Sequence, residues 1–318
     1  MQMVKYTLNY VFEQSDKRDK LYTSVKAVTL PSTVDLRSQW GPILDQGELG
    51  ACVSHSIVYQ LRHVLKKSHG ISSNLSRLFV HYNGREIAHG PFTSTHVPNK
   101  DAGISIRTGF QAVAKYGICD ESAWPYVMNK YLERPPESVY SQAKLNTTIS
   151  YYAVTQELSV MKQCLNSGYP ISFGLTLYPG FMSTAVVQTG QIPDPSPDEK
   201  SIGAHAMTIV GYNDQTEKFI VANQWTSSWG DAGFCYISYK YMTNPVMVRD
   251  LWSARSFEVG APVNKIQVPA KQWAPGMVFT KGDRTQYQGK EYVCTTTHKS
   301  IQAWAPLSTA SLWKPTNP

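Results

Sequence analysis

Asp45-Gln46-Gly47-Glu48-Leu49-Gly50-Ala51-Cys52-Val53-Ser54-His55-Ser56-Ile57-Val58 carries a cysteine out of a glycine-bearing turn and straight into a helical pattern. From Cys52 to Lys66, Val53, Ile57, Val58, Leu61, Val64 and Leu65 recur at helical spacing, with Ser54, Gln60, Arg62 and Lys66 between them. A helix with one buried face is therefore expected to begin at or just before Cys52. Unpaired backbone N–H groups and the positive end of the helix dipole favour thiolate over thiol at such a position. Gln46, in the turn upstream, can aim its side-chain N–H at the same space and join the backbone N–H of Cys52 in holding an oxyanion. A lone cysteine at a helix start more often packs than reacts. The chemical reading therefore needs a base elsewhere in the chain.

Gly203-Ala204-His205-Ala206-Met207 supplies one. It leads into the apolar run Thr208-Ile209-Val210-Gly211-Tyr212, which sets a histidine at the mouth of a buried strand. The small neighbours Ala204 and Ala206 leave room for a bulky substrate. Downstream, Ala222-Asn223-Gln224-Trp225 precedes Ser228-Trp229-Gly230. Asn223 offers an amide to the imidazole, and Trp225 offers a ring to shield that bond from water.

The rest of the chain frames these residues. Ile106, Phe110, Val113 and Ala114 form a second helical pattern that closes at Gly117, where a C-cap glycine is expected. After residue 150, Ile171, Phe173, Leu175 and Leu177 alternate with smaller or polar residues, and 207–212, 218–222 and 234–239 are short β-rich runs. Helices first and strands later imply an α+β domain of two parts packed side by side, with the site in the cleft between them. At 318 residues the chain exceeds one ordinary core. The segment from Glu258 to Pro269 reads as a linker, and the final residues are dense in aromatics and turn formers. The expected division is residues 1–258, a linker over 259–269 and a small all-β module over 270–318.

Several classes are excluded. The net charge is +7, but Lys and Arg are scattered without an arginine-rich stripe, so no nucleic-acid partner is expected. No stretch approaches the roughly 18 apolar residues of a membrane span, and Met1 to Asp19 shows no apolar core of a secretory leader. Five cysteines in neither paired nor metal-type spacing are expected to be mostly reduced. His55, His63, His69 and His81 read as packed or solvated, not as metal ligands. No metal or other cofactor is expected.

The order Gln46, Cys52, His205, Asn223, with Trp225 to Gly230 giving Trp-x-x-x-Trp-Gly after the asparagine, resembles the papain family of cysteine peptidases. Leu30-Pro31-Ser32-Thr33-Val34-Asp35-Leu36-Arg37 is similar to the start of the mature domain there. Asp16-Lys17-Arg18-Asp19, Ser76-Arg77-Leu78-Phe79 and Asp120-Glu121-Ser122-Ala123-Trp124-Pro125-Tyr126 are similar to its bacterial-type branch. The resemblance implies a papain-like fold of two lobes, one helical and one barrel-like, acting on a protein or peptide substrate. It also implies that Cys52 attacks as a thiolate paired with protonated His205, that Asn223 orients the imidazole and that Gln46 binds the oxyanion. Gly103 would be a backbone rail for extended substrate, with Ala206 and Trp225 also lining the substrate.

Three departures stand out. Leu49 replaces a cysteine that commonly forms a disulfide in the family, Val53 replaces a tryptophan, and Gln224 replaces the serine after the asparagine. The chain upstream of Leu30 is shorter than the inhibitory pro-segment of lysosomal relatives, so any latency is expected to arise otherwise. Tyr178 to Ser201 reads as either a lid or a long surface loop. Phe173 and Leu175 are expected to line the pocket beside His205, which favours apolar side chains two residues before the scissile bond.

In the last region Trp273, Gly282-Asp283-Arg284, Tyr287-Gln288-Gly289-Lys290, Tyr292, Cys294, Trp304-Ala305-Pro306 and Trp313 follow the order of the small chitin-binding modules of bacterial chitinases. Flat aromatics complement the C–H face of a pyranose. Trp273, Tyr292 and Trp313 are expected in the core with Cys294 as packing, whereas Trp304, and after it Tyr287, are the stacking candidates. The joint expectation is a cysteine endopeptidase tethered to chitin or a related polysaccharide. The alternatives are a peptidoglycan cross-bridge hydrolase, or an adhesin that binds carbohydrate on a dead papain-like scaffold. Such a protein is expected to act outside the producing cell, after lysis, through a toxin system or with a virus.

Overall fold

A computed structural model describes residues 6–23, 29–91, 101–258, 271–279 and 284–315. The expected linker and the Gly282-Asp283 turn lie outside them. The chain separates into two compact units, Met1–Val263 and Asn264–Pro318.

The first unit contains β1 (Thr33–Asp35), α1 (Cys52–His69), α2 (Arg77–His89), α3 (Ile106–Tyr116), α4 (Glu137–Ala143), β2 (Thr148–Ala153) and α5 (Leu158–Asn166). There follow β3 (Ile171–Leu177), α6 (Thr184–Thr189), β4 (Gly203–Asn213), β5 (Lys218–Ala222), β6 (Phe234–Ser238), α7 (Tyr239–Met242) and β7 (Val248–Glu258). Helix ends follow local chemistry. Ser76 and Ser105 cap α2 and α3 by accepting from Phe79 and Thr108 N–H groups. Helix α1 stops at Gly70, whose φ of 65° lets its N–H return to the Lys66 carbonyl.

The strands form one antiparallel sheet in the order β2-β7-β3-β4-β5-β6, with β1 added on β4. Alternation along β3 separates two cores. Ile171, Phe173, Leu175 and Leu177 join Met207, Ile209, Phe219 and Val221 inside the barrel lobe. Cys52, Ile57, Leu61, Ala206 and Trp252 pack between α1 and the opposite face. A third cluster of Leu78, Phe79, Cys119, Trp124 and Tyr140 fills the helical lobe. Burying one such large side chain contributes about 1.5–3 kcal/mol. The resulting architecture is the α+β, two-lobed papain-like fold.

Residues 179–192 are packed structure, whereas 193–201 are mostly exposed and carry no helix or strand. Phe181, Val186 and Ile192 are buried, Ile192 N–H donates to the Tyr236 carbonyl, and Phe181 lies 5.5 Å edge-on to Trp225 and 5.5 Å stacked on Trp229. Residues 179–192 buttress the site tryptophans, and the surface-loop reading holds for 193–201.

The second unit is all β. Strands β8 (Lys271–Gln272), β10 (Arg284–Tyr287), β11 (Lys290–Cys294) and β13 (Trp313–Pro315) form one sheet, and β9 (Val278–Phe279) pairs with β12 (His298–Lys299). Gln288 and Gly289, at φ 50° and 75°, make the tight turn between β10 and β11. Trp273, Phe279, Tyr292, Cys294, Ala305 and Trp313 form its core. All five cysteines of the chain are free and buried.

Candidate active site

Cys52 is the first residue of α1, and the turn before it is anchored to the segment that follows β5. Gln46 N–H donates to the Gln224 carbonyl at 3.0 Å, and Asp45 bridges to Trp225. Tyr59, on α1, donates its hydroxyl to the Asn223 carbonyl at 3.2 Å while accepting from Leu44 N–H at 2.7 Å. Cys52, Gln46, His205 and Asn223 are thus brought together and are all 0% exposed.

His205 stands on β4, and its Nε2–H donates to Asn223 Oδ1 at 3.0 Å. That bond fixes the tautomer and leaves Nδ1 as the basic nitrogen. Nδ1 is buried and has no hydrogen-bond partner among the described residues. The Trp225 ring lies 5.0 Å from the imidazole and screens the His205–Asn223 bond. Gln46 Nε2 donates to the Leu49 carbonyl at 2.9 Å, and its Oε1 accepts from Trp225 Nε1 at 3.3 Å. One Gln46 N–H is therefore spent on the turn, and the second proton of the same nitrogen is the one an oxyanion would take.

Two contributors were not foreseen as partners of the site. Gln224 donates its side-chain amide to the Ala206 carbonyl at 2.7 Å and sits 3.2 Å from His205 Nε2. It holds the backbone of β4 beside the imidazole, a task the sequence disclosed only as a substitution after the asparagine. Asp101 accepts from Gly50 N–H and from His81 Nε2 at 2.9 Å, tying α2 to the turn before Cys52. No local pattern signals that pairing, because its partners are distant along the chain.

Residues 6–13 run through this site. Tyr6 stacks on Trp225 with centroids 4.3 Å apart and planes 6° from parallel. Asn9 bridges to Ala204, and its side chain donates to the Asp101 carbonyl. Tyr10 N–H donates to the Ala204 carbonyl at 3.2 Å, and Val11 N–H to the Ile104 carbonyl at 3.4 Å. A Cβ at Gly50 or Gly103 would collide with Asn9, and one at Gly174 with the Tyr10 ring. The rail expected at Gly103 is therefore occupied by the chain's own backbone. Residues 6–13 thus reach the cleft and fill it.

The filling reverses the electrostatics expected for an open site. Burial pushes the Cys52 thiol up to about 12, against contacts with backbone N–H groups that favour thiolate. Burial also lowers His205 to about 4, opposed by its bond to Asn223. In this closed state full burial of both side chains favours neutral thiol and neutral imidazole. The helix dipole alone does not offset that loss of solvation.

In the C-terminal unit Trp304 is 40% exposed, in a single turn over Gln302–Trp304. Its carbonyl accepts from Trp313 Nε1 at 2.8 Å, so the backbone is fixed while the ring faces outward. Tyr287 packs edge-on against Trp273 at 5.1 Å and is partly withdrawn into the core. Trp273, Tyr292 and Trp313 are buried.

Residues 30–249 match the family described as papain family cysteine protease, and residues 272–314 match carbohydrate-binding module family 5/12. The chain belongs to the papain family of cysteine peptidases, with a chitin-binding type of module at its C-terminal end. It is 32% identical to an uncharacterized peptidase C1-like protein of Acanthamoeba polyphaga mimivirus, over 78% of this chain and 86% of that one. Xylellain, a cysteine protease from Xylella fastidiosa, superposes with a TM-score of 0.72 at 28% identity, covering 80% of this chain and 98% of that one. Over 45 residues, 14% of this chain and 9% of the other, it is 40% identical to chitinase Chi52 of Paenibacillus xylanexedens.

Proposed function

We propose that the protein is a latent endopeptidase in which Cys52 is the nucleophile, His205 its base, Asn223 the orienter and Gln46 an oxyanion donor, and that the C-terminal module holds it on chitin. The observation that carries the reading is the 3.0 Å bond from His205 Nε2 to Asn223 Oδ1, which leaves Nδ1 basic and unpartnered in the cluster that contains Cys52. With residues 6–13 withdrawn, water and substrate return to the cleft and the burial that keeps the pair neutral is relieved. The Cys52 proton then passes to His205 Nδ1, and the thiolate attacks the peptide carbonyl. The oxyanion is held by the Cys52 backbone N–H and the second Gln46 N–H. His205 returns its proton to the leaving amine, and water attacks the resulting thioester with the imidazole again as base. Trp304, outward and rigid, is the surface for a sugar ring.

The test is hydrolysis of fluorescent casein under reducing conditions by the full chain, with a thiol-directed epoxide as control. Tyr10→Ala should release activity, and Cys52→Ala in either background should remove it by at least ~10⁴-fold, the scale seen when a nucleophile is lost. Activity that survives Cys52→Ala would rule the assignment out. Binding to chitin beads, measured on the same preparations, should be untouched by either change.

A further inference from the structure

Gln46, the proposed oxyanion donor, is held by a group that takes no part in the proposed steps. Its N–H and its side chain are fixed by Gln224, Trp225 and Leu49. Its backbone carbonyl is fixed by a different element. Tyr126, in the stretch between α3 and α4, donates its hydroxyl to that carbonyl at 2.8 Å. Burial holds this hydroxyl well above the ordinary tyrosine value, so it stays protonated and donating across the working pH range.

The hydroxyl is aimed by a charged frame drawn from two stretches that the catalytic reading leaves unused, Ser76 to Phe79 and Asp120 to Tyr126. Arg77, the first residue of α2, lies 4.4 Å over the centre of the Tyr126 ring and pairs with Glu121 at 2.7 Å. Glu121 Oε1 also accepts from Tyr126 N–H at 2.9 Å, and its Oε2 accepts from Arg77 N–H at 3.3 Å. One carboxylate thus fixes both the ring and the guanidinium above it. His55, on α1, packs edge-on to the same ring at 4.9 Å. Its Nδ1–H donates to the Ala51 carbonyl at 2.8 Å, which leaves Nε2 to accept from Arg77 Nη1 at 3.3 Å. The ion pair is largely shielded from water, with Arg77 14% and Glu121 19% exposed. Such a pair adds little net stability once desolvation is counted, but it fixes an orientation.

Rigidity matters here because Gly47 follows Gln46 at a φ of 56°, a backbone with no side chain to restrain it. Without the Tyr126 bond the peptide joining Gln46 to Gly47 is free to rotate, and Gln46 shifts with it. A donor to an oxyanion must stand within a few tenths of an ångström of its working position. We infer that Tyr126, aimed by Arg77 and Glu121, is a positioning residue for the oxyanion site, holding the Gln46 carbonyl so that the Gln46 side chain meets the transition state. The inference rests on the proposed roles of Cys52 and Gln46, and Tyr126 acts through Gln46 rather than on substrate.

The experiment uses the full chain carrying Tyr10→Ala and three readouts. These are kcat and KM on a fluorogenic peptide, affinity for a peptide aldehyde, and the rate of Cys52 alkylation by iodoacetamide. The aldehyde adds the thiol to its carbonyl and so carries a tetrahedral oxygen, whereas alkylation expels iodide and forms no oxyanion. Adding Tyr126→Phe, which keeps the ring beneath Arg77, should lower kcat about tenfold with KM unchanged and weaken the aldehyde about tenfold, part of the ~10²–10³ that a whole oxyanion donor supplies. Alkylation should proceed at the same rate. In a Gln46→Ala background Tyr126→Phe should cost nothing further, because the group it positions is gone. Equal losses with and without Gln46, or aldehyde affinity and alkylation falling together, would overturn the positioning role and leave the catalytic assignment standing. A Tyr10→Ala chain whose Cys52 is alkylated but binds no aldehyde and cleaves no peptide would overturn the proposed site, and this inference with it.

Discussion

The two sites proposed for this chain's ligands are built in opposite ways. In the peptidase unit every assigned catalytic side chain is fully buried, and the aromatic surface beside it, Trp225, is covered by Tyr6. In the C-terminal unit the stacking candidate Trp304 is open on a fixed backbone. A ring that is already exposed needs no segment to move before a sugar can stack on it, so the proposed site is open as it stands. A cleft filled by its own chain works only after a segment has moved. On the proposed function, attachment to polysaccharide needs no movement of residues 6–13, whereas hydrolysis does.

The predictions sharpen that contrast, beginning with the largest effect. His205→Ala should lower casein hydrolysis by ~10³-fold or more in the Tyr10→Ala background, measured as kcat/KM, because it removes the base assigned to Cys52. Tyr10→Ala itself removes a buried aromatic and its bond to Asp250, a loss of roughly 3–5 kcal/mol in a core. Even a fraction of that should raise the open population ~100-fold, read as casein hydrolysis at fixed enzyme. Trp304→Ala should weaken chitin binding ~10-fold, in keeping with ~1–3 kcal/mol for a well-placed aromatic stack, and leave casein hydrolysis unchanged. Tyr287→Ala should weaken it less than Trp304→Ala, because its ring is partly spent on Trp273. Equal losses at the two positions would erase the distinction between stacking and support.

A pH prediction concerns the closed unit alone. His55, His63, His81 and His205 are all pushed below the ordinary histidine value by burial. A base with a depressed folded pKa takes up its proton more readily when unfolded, so the penalty appears as pH falls below about 6.5, the unfolded value. For His205, lowered to about 4, the loss reaches roughly 3 kcal/mol by pH 4. The melting midpoint should therefore fall steeply between pH 6.5 and 4, and His55→Gln should flatten the slope. A midpoint insensitive to pH in that window would contradict the burial of these imidazoles.

Much of this site could be read from short-range pattern. Cys52 is announced by a glycine turn and a 3.6-residue repeat, and Asn223 by the tryptophans that follow it. Trp304 is marked by small neighbours and Pro306, which make a loop. What escaped depends on partners distant in sequence. Tyr6, Leu8, Tyr10 and Phe12 alternate as a strand does, but nothing local says that their partner is the cleft. The same blindness misplaced Phe173 and Leu175: alternation tells which residues share a face, not which face borders the site. The thiolate expectation for Cys52 rested on the helix start and omitted desolvation by burial beneath residues 6–13, which in the closed state is the larger effect.

The central claim is that residues 6–13 hold a competent cysteine shut. It is tested most directly by the rate of Cys52 alkylation in the full chain, read by mass at the Cys52 peptide, for wild type and Tyr10→Ala between pH 5 and 10. Wild type should react slowly, with a rate that keeps climbing toward alkaline pH because the thiol is held near 12. Tyr10→Ala should react on the order of a hundred times faster at pH 7, with its midpoint near or below neutrality as His205 takes the proton. Equal rates and equal profiles in the two proteins would contradict the account.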